Sequence, residues 1–200
     1  MPHTQAPDPP ARDILWLGAH KTGTTSLQHQ LSRLREPLAA AGLFYIDTQA
    51  LRARYTRPVL DLHHDAELPP PLPAGGAGYL IFDENIPGLV QDAVQPRGLY
   101  PDGEERALRL ARVMGLEAPE LVFGIRNFAD YLPSLYCEAL KSLPFRPFDS
   151  FWSGQRRALS WCDLAERLLA AFPRSRLRLY RAGDLRGREN ALLSWVTRLA

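Results

Sequence analysis

Gly18-Ala19-His20-Lys21-Thr22-Gly23-Thr24-Thr25-Ser26 follows directly on the apolar run Ile14-Leu15-Trp16-Leu17 and leads into a leucine-spaced segment. Four apolar residues ending at a glycine read as a buried strand entering a loop. Beyond the loop, Leu27, Leu31, Leu34 and Leu38 recur at spacings that lay one apolar stripe along a single helix, and Gly42 supplies its stop. A glycine-rich turn between strand and helix aims backbone N–H groups and the positive end of the helix dipole at one point, an arrangement that holds an anion. The plain alternative is a strand-to-helix turn in which Thr and Ser only cap the helix.

Outward from this turn the pattern repeats. Leu43 to Ile46 and Tyr79 to Phe82 read as further strands, the second ending in Asp83-Glu84-Asn85. Asp102 to Met114 reads as a helix with Gly115 beyond its end, and Leu121 to Ile125 as a strand closed by Arg126. Ala129 to Leu140 is expected to be helical with Pro133 in about its first turn, and Asp163 to Phe172 repeats the helical theme. Arg176 to Tyr180 alternates basic and apolar residues as an edge strand does, before a last helix from Glu189 to Leu199. Strands alternating with helices predict an α/β three-layer sandwich with a central parallel sheet. Between Arg52 and Gly78 the periodicity weakens, and the prolines at 69–71 and 73 with Gly75-Gly76 mark a long surface connection.

Two hundred residues suit one such domain, with 1–12 as a proline-rich disordered tail and 13–200 as the folded unit. The 46% hydrophobic and 23% charged content excludes wholesale disorder and a coiled-coil rod. No apolar run approaches the roughly 20 residues of a membrane span, and the polar opening segment is unlike a signal sequence, so a soluble cytoplasmic protein is expected. Cys137 and Cys162 are too few for a disulfide framework or a four-thiolate zinc site and are expected only to fill space. A net charge of +2 permits an anionic ligand, yet the basic residues are dispersed and no aromatic stacking motif accompanies them, so no nucleic-acid partner is expected. Of 24 basic residues only Lys21 and Lys141 are lysines, which singles out the lysine inside the one glycine-rich loop.

Gly18 and Gly23 keep the spacing of the nucleotide phosphate loop, but Thr24 stands where that loop has its lysine and Lys21 precedes the second glycine. Strand, then Lys-Thr-Gly-Thr-Thr-Ser-Leu, instead resembles the 5′-phosphosulfate loop of the sulfotransferases that use 3′-phosphoadenosine 5′-phosphosulfate (PAPS). That family pairs the loop with a strand ending in Arg and a Ser eight residues on, which together grip the 3′-phosphate. Here Arg126 and Ser134 stand in that register, within Arg126-Asn127-Phe128-Ala129-Asp130-Tyr131-Leu132-Pro133-Ser134, and Tyr136 completes a version common in bacterial members. Phe128 replaces a frequent proline. The late basic glycine-rich loop of cytosolic members has only Arg186-Gly187-Arg188 as a counterpart, and the chain stops inside an apparent helix, so a short or C-terminally truncated member is expected.

The resemblance implies a transferase that moves a sulfuryl group from PAPS to an acceptor hydroxyl on a carbohydrate, glycolipid or small molecule, without a metal. Lys21 would stabilise charge on the departing phosphate oxygen, and Thr22, Gly23, Thr24, Thr25 and Ser26 would hold the 5′-phosphosulfate. Glu84, at the carboxyl end of its strand, is the first candidate for the base; His64, beside His63, and His20 are the others. Tyr55, Arg57, Tyr136, Phe145 and Trp152 are candidates to line a sugar pocket. Two other functions stay open: a P-loop kinase or ATPase, because apolar strand then Asp83-Glu84 matches a Mg²⁺-coordinating pattern, and a non-catalytic nucleotide-binding module. Oligomeric state is not legible.

Overall fold

The computed structural model describes residues 12–61, 68–73, 78–152 and 159–199. Five parallel strands form the central sheet in the order β2-β3-β1-β6-β7: β1 Ile14–Leu17, β2 Leu43–Tyr45, β3 Gly78–Asp83, β6 Glu120–Ile125 and β7 Leu177–Arg181. A separate short hairpin, β4 Val94–Gln95 with β5 Gly98–Leu99, has no counterpart in the sequence reading. β1 is fully buried on both faces, which is why it reads as an unbroken apolar run.

Side-chain alternation along the strands sorts the interior into two cores. Ile14, Trp16, Leu80, Phe82, Val122 and Tyr180 face α1 (Thr24–Arg33), α2 (Arg35–Ala40) and α8 (Glu189–Thr197). Leu15, Leu17, Ile81, Leu121 and Phe123 face α3 (Thr48–Leu51), α4 (Gly103–Met114), α5 (Phe128–Ala139) and α7 (Trp161–Ala171). The chain is therefore α/β, with helices on both faces of a parallel sheet, as the alternation of elements predicts. No helix among the described residues is long and apolar enough to cross a membrane.

Several elements differ from expectation. The single helix expected after the loop is two, α1 and α2, separated at Leu34. In a continuous helix the Pro37 ring would collide with the Arg33 carbonyl, so the stripe Leu27, Leu31, Leu38 stays buried across a break. Part of the weakly patterned stretch is helical: α3 continues as a π-helical segment Arg52–Asp61 that buries Leu51, Tyr55 and Val59. Pro133 lies in the second turn of α5, not the first, and α6 (Phe148–Trp152) was not foreseen. Cys137 and Cys162 are both exposed.

The carboxyl ends of β1 and β6 lie side by side at the point where the chain reverses its direction of winding. β1 leads toward β2 and β3 on one flank, whereas β6 begins the other flank with β7. In open α/β sheets that crevice is where ligands bind.

Candidate functional site

The loop after β1 is shaped by two left-handed residues, Lys21 at φ +65 and Gly23 at φ +85. Backbone of this kind turns successive N–H groups toward one side. Thr22 is fully buried, and its hydroxyl donates to the Ala19 carbonyl at 2.7 Å, closing the turn from within. Gly124 on β6 makes room for this: a Cβ there would lie 2.6 Å from Tyr180 and 2.9 Å from Thr22 Oγ1. Gly18 is equally constrained, since a Cβ would meet Thr24 at 2.7 Å and the Glu84 backbone at 3.2 Å. Gly23 occupies the N-cap of α1, no side chain caps that helix, and its first turn carries no acidic residue. Its orphan N–H donors are left for an external acceptor.

A cavity of about 470 Å³ opens over this helix end, lined by His20, Lys21, Gly23, Thr24, Thr25, Ser26, Glu84, Arg126, Ser134 and Glu138. The residues expected to bind cofactor share this cavity with Lys21, Glu84 and His20, apart from Thr22, whose side chain is turned inward. Arg126, at the end of β6, donates from Nη1 to the Lys21 carbonyl at 2.9 Å, joining two segments 105 residues apart. Trp161 fixes Arg126 in turn: its indole N–H donates to the Arg126 carbonyl at 2.7 Å and its ring stacks on Phe128 at 5.4 Å. The Asn127 side chain accepts from the Ala129 N–H at 2.9 Å and so starts α5, which carries Ser134 into the cavity.

Lys21 Nζ lies 3.2 Å from Glu138, a residue the sequence reading missed although it follows Ser134 by one helical turn. Glu138 also accepts from Lys141 at 2.8 Å. The hydrogen bond from Lys141 does most to hold its carboxyl below the usual range; burial opposes it, and Lys21 adds to the lowering.

Glu84 accepts from Gln28 of α1 at 2.9 Å on one oxygen and from Arg52 at 3.0 Å on the other. Arg52 also grips Asp83 through Nε and Nη2 at 2.7 to 3.1 Å, and Asp83 is fully buried. Although burial alone would lower the Arg52 pKa, these two carboxylates raise it above its ordinary value. Asp83 accepts the Asn85 N–H as well, so its oxygens are committed within the protein. Arg52 lies in the stretch where sequence periodicity failed, and nothing in its spacing pointed to the site.

His20 is buried beside Tyr100, and burial pushes its imidazole pKa down against the pull of Glu84, an Asn85 hydrogen bond and Asp83. His63, His64 and the Trp152 side chain lie outside the described residues. Tyr55 belongs to the core, donating to the Pro70 carbonyl at 3.0 Å, and Tyr136 donates to the Arg146 carbonyl while packing on Phe148 and Phe151. Neither ring lines the cavity. Among the described residues, no group of three or more His, Cys, Asp and Glu side chains could hold a metal ion.

Compared with protein-family models and with curated proteins, the chain matches neither.

Proposed function

We propose that this chain is a sulfotransferase that moves a sulfuryl group from PAPS to an acceptor hydroxyl on a carbohydrate, glycolipid or small molecule. The observation that carries the reading is convergence: the 20–26 loop and the Arg126/Ser134 pair, distant in sequence, line the same cavity at the sheet's switch point. A generic strand-to-helix turn gives no reason for a second, separately encoded anion-binding pair to face it.

The residues present fit such a co-substrate. Uncapped N–H groups of α1, the hydroxyls of Thr24, Thr25 and Ser26, and two cations, Lys21 and Arg126, offer donors from two chain segments to one cavity, which suits a molecule anionic at both its 5′ and 3′ ends. When bound, PAPS supplies an activated sulfur whose bond to the 5′-phosphate oxygen breaks as the acceptor oxygen bonds to it. Lys21 and the α1 N–H groups stabilise the charge that builds on the departing oxygen. Arg126 and Ser134 hold the 3′-phosphate, and Arg126 also fixes the loop through the Lys21 carbonyl. Lys21 exchanges Glu138 for the incoming anion, while Lys141 remains as a partner for Glu138. Glu84 receives the acceptor proton: a carboxylate has about four lone-pair positions, of which Arg52 and Gln28 occupy two.

A kinase or ATPase is the weaker reading, since the acid that would hold Mg²⁺ there, Asp83, is enclosed by Arg52. Transfer of labelled sulfate from PAPS to a panel of sugar and phenol acceptors in excess EDTA tests the proposal. Turnover is expected to persist in the chelator and to fall about 10²–10³-fold in Lys21→Ala. Turnover of Mg-ATP instead, or cofactor binding with no transfer to any acceptor, would replace it with the kinase or the non-catalytic module.

A further inference from the structure

His20 is joined to two tyrosines the proposed mechanism does not use. Its backbone N–H donates to Tyr100 Oη at 3.0 Å, its Nδ1 lies 3.1 Å from the same oxygen, and Tyr131 Oη lies 3.2 Å from it. Tyr100 and Tyr131 are fully buried and His20 nearly so. Tyr100 is held against backbone preference, at φ +44, a region a bulky residue rarely enters. Arg167 of α7 maintains it by donating to the carbonyls of Leu99, Tyr100 and Pro101 at 2.7 to 3.3 Å. Strain retained at this cost marks a position whose side chain is needed where it is.

Counting donors and acceptors fixes where the protons lie. Tyr100 Oη accepts the His20 backbone N–H, which leaves its own proton and one acceptor position for His20 Nδ1 and Tyr131. In one arrangement the Tyr131 O–H donates to Tyr100 and the Tyr100 O–H donates to Nδ1; every donor then has an acceptor. In the reverse arrangement Nδ1–H donates to Tyr100 and Tyr100 donates to Tyr131. The Tyr131 proton is then stranded, because Tyr100 is its one hydrogen-bond partner among the described residues. An imidazolium strands the same proton. A buried donor without an acceptor loses its full hydration, so the first arrangement prevails.

The geometry points to Tyr100 and Tyr131 as positioning residues that lock His20 in the neutral Nε2–H tautomer, making it a fixed hydrogen-bond donor to the anion in the cavity and not a general base. Nδ1, the only nitrogen able to take up a proton in that tautomer, is filled by Tyr100. Nε2–H is the proton left over: the Asn85 side chain accepts it when no ligand is bound, and an anion in the cavity that His20 lines shares or takes it over, beside Glu84, Asp83 and Arg52. The donor role rests on the sulfotransferase reading; the tautomer does not.

Long-range ¹H–¹⁵N NMR of the ¹⁵N-labelled, ligand-free chain at pH 7 reads the tautomer directly, with the His20 signals identified by their loss in His20→Gln. One Nε2–H pattern is expected. An Nδ1–H pattern, an even mixture or an imidazolium would overturn the lock. Tyr131→Phe removes the proton that forbids the reverse arrangement and is expected to admit Nδ1–H; an unchanged spectrum would overturn the role given to Tyr131. With PAPS, His20→Gln keeps an N–H donor but no basic nitrogen, and it is expected to retain most of kcat while His20→Ala loses about 10²-fold. Equal loss in both variants would overturn the donor role. A wild-type Nε2–H spectrum together with no binding of 3′-phosphoadenosine 5′-phosphate would leave the lock standing and remove the enzyme reading.

Discussion

His20 and Gly23 make the residue-scale arguments testable without substrate. Burial lowers the His20 pKa, so in the folded chain it stays neutral at a pH where the unfolded chain, with an imidazole near 6.5, takes up a proton. The unfolded state then binds more protons, and the stability contributed by His20 is intact above that value and is lost as pH falls from it toward the lower folded pKa. Urea midpoints at pH 7.5 and 5.5 are expected to separate more in the wild type than in His20→Gln; equal separations would show that His20 does not titrate this way. Gly23→Ala puts a Cβ 2.9 Å from Leu185 Cδ1, which can swing aside, but φ +85 remains and costs about 1–2 kcal/mol. A lower urea midpoint checks it. Lys21, Thr24, Thr25, Ser26, Arg126 and Ser134 were legible as candidates from motif spacing and Glu84 from its place at a strand's carboxyl end, and they line one cavity. Glu138 was missed although it sits one turn beyond Ser134. Tyr100 and Trp161 were not legible, since their contacts depend on how the hairpin and α7 pack.

At the scale of elements, the strands and most helices followed from apolar runs and glycine stops. The expected elements failed where local rules compete. Pro37 divides one apolar stripe between two helices, and Pro58 with three nearby arginines obscures the Leu51, Tyr55, Val59 stripe of the α3 and π-helical stretch. That stretch matters because it delivers Arg52 to the end of β3, where Asp83 is fully buried. Arg52→Leu leaves that carboxylate without its cation and is expected to cost about 3–5 kcal/mol in urea unfolding, with part of the loss recovered in Arg52→Leu/Asp83→Asn. A neutral single variant would mean that the pair does not join the element to the sheet.

For the whole molecule, strand order brings the functional groups together. With β1 between β3 and β6, the loop, Glu84 and Arg126 rise from neighbouring strand ends, and α5 carries Ser134 back over them. The alternation of strands and helices made a parallel sheet legible in the sequence, but the order of its strands was not, because registry between distant segments leaves no local trace. The central claim, that a 5′ and a 3′ anion share this one cavity, is tested most directly by calorimetric titration of the chain with 3′-phosphoadenosine 5′-phosphate in EDTA, beside adenosine 5′-phosphate and the Arg126→Ala variant. Micromolar binding that requires the 3′-phosphate and weakens about 10- to 100-fold in Arg126→Ala is predicted, the range expected on losing a charged hydrogen-bond partner. Binding indifferent to the 3′-phosphate or to Arg126, or none at all, would contradict it.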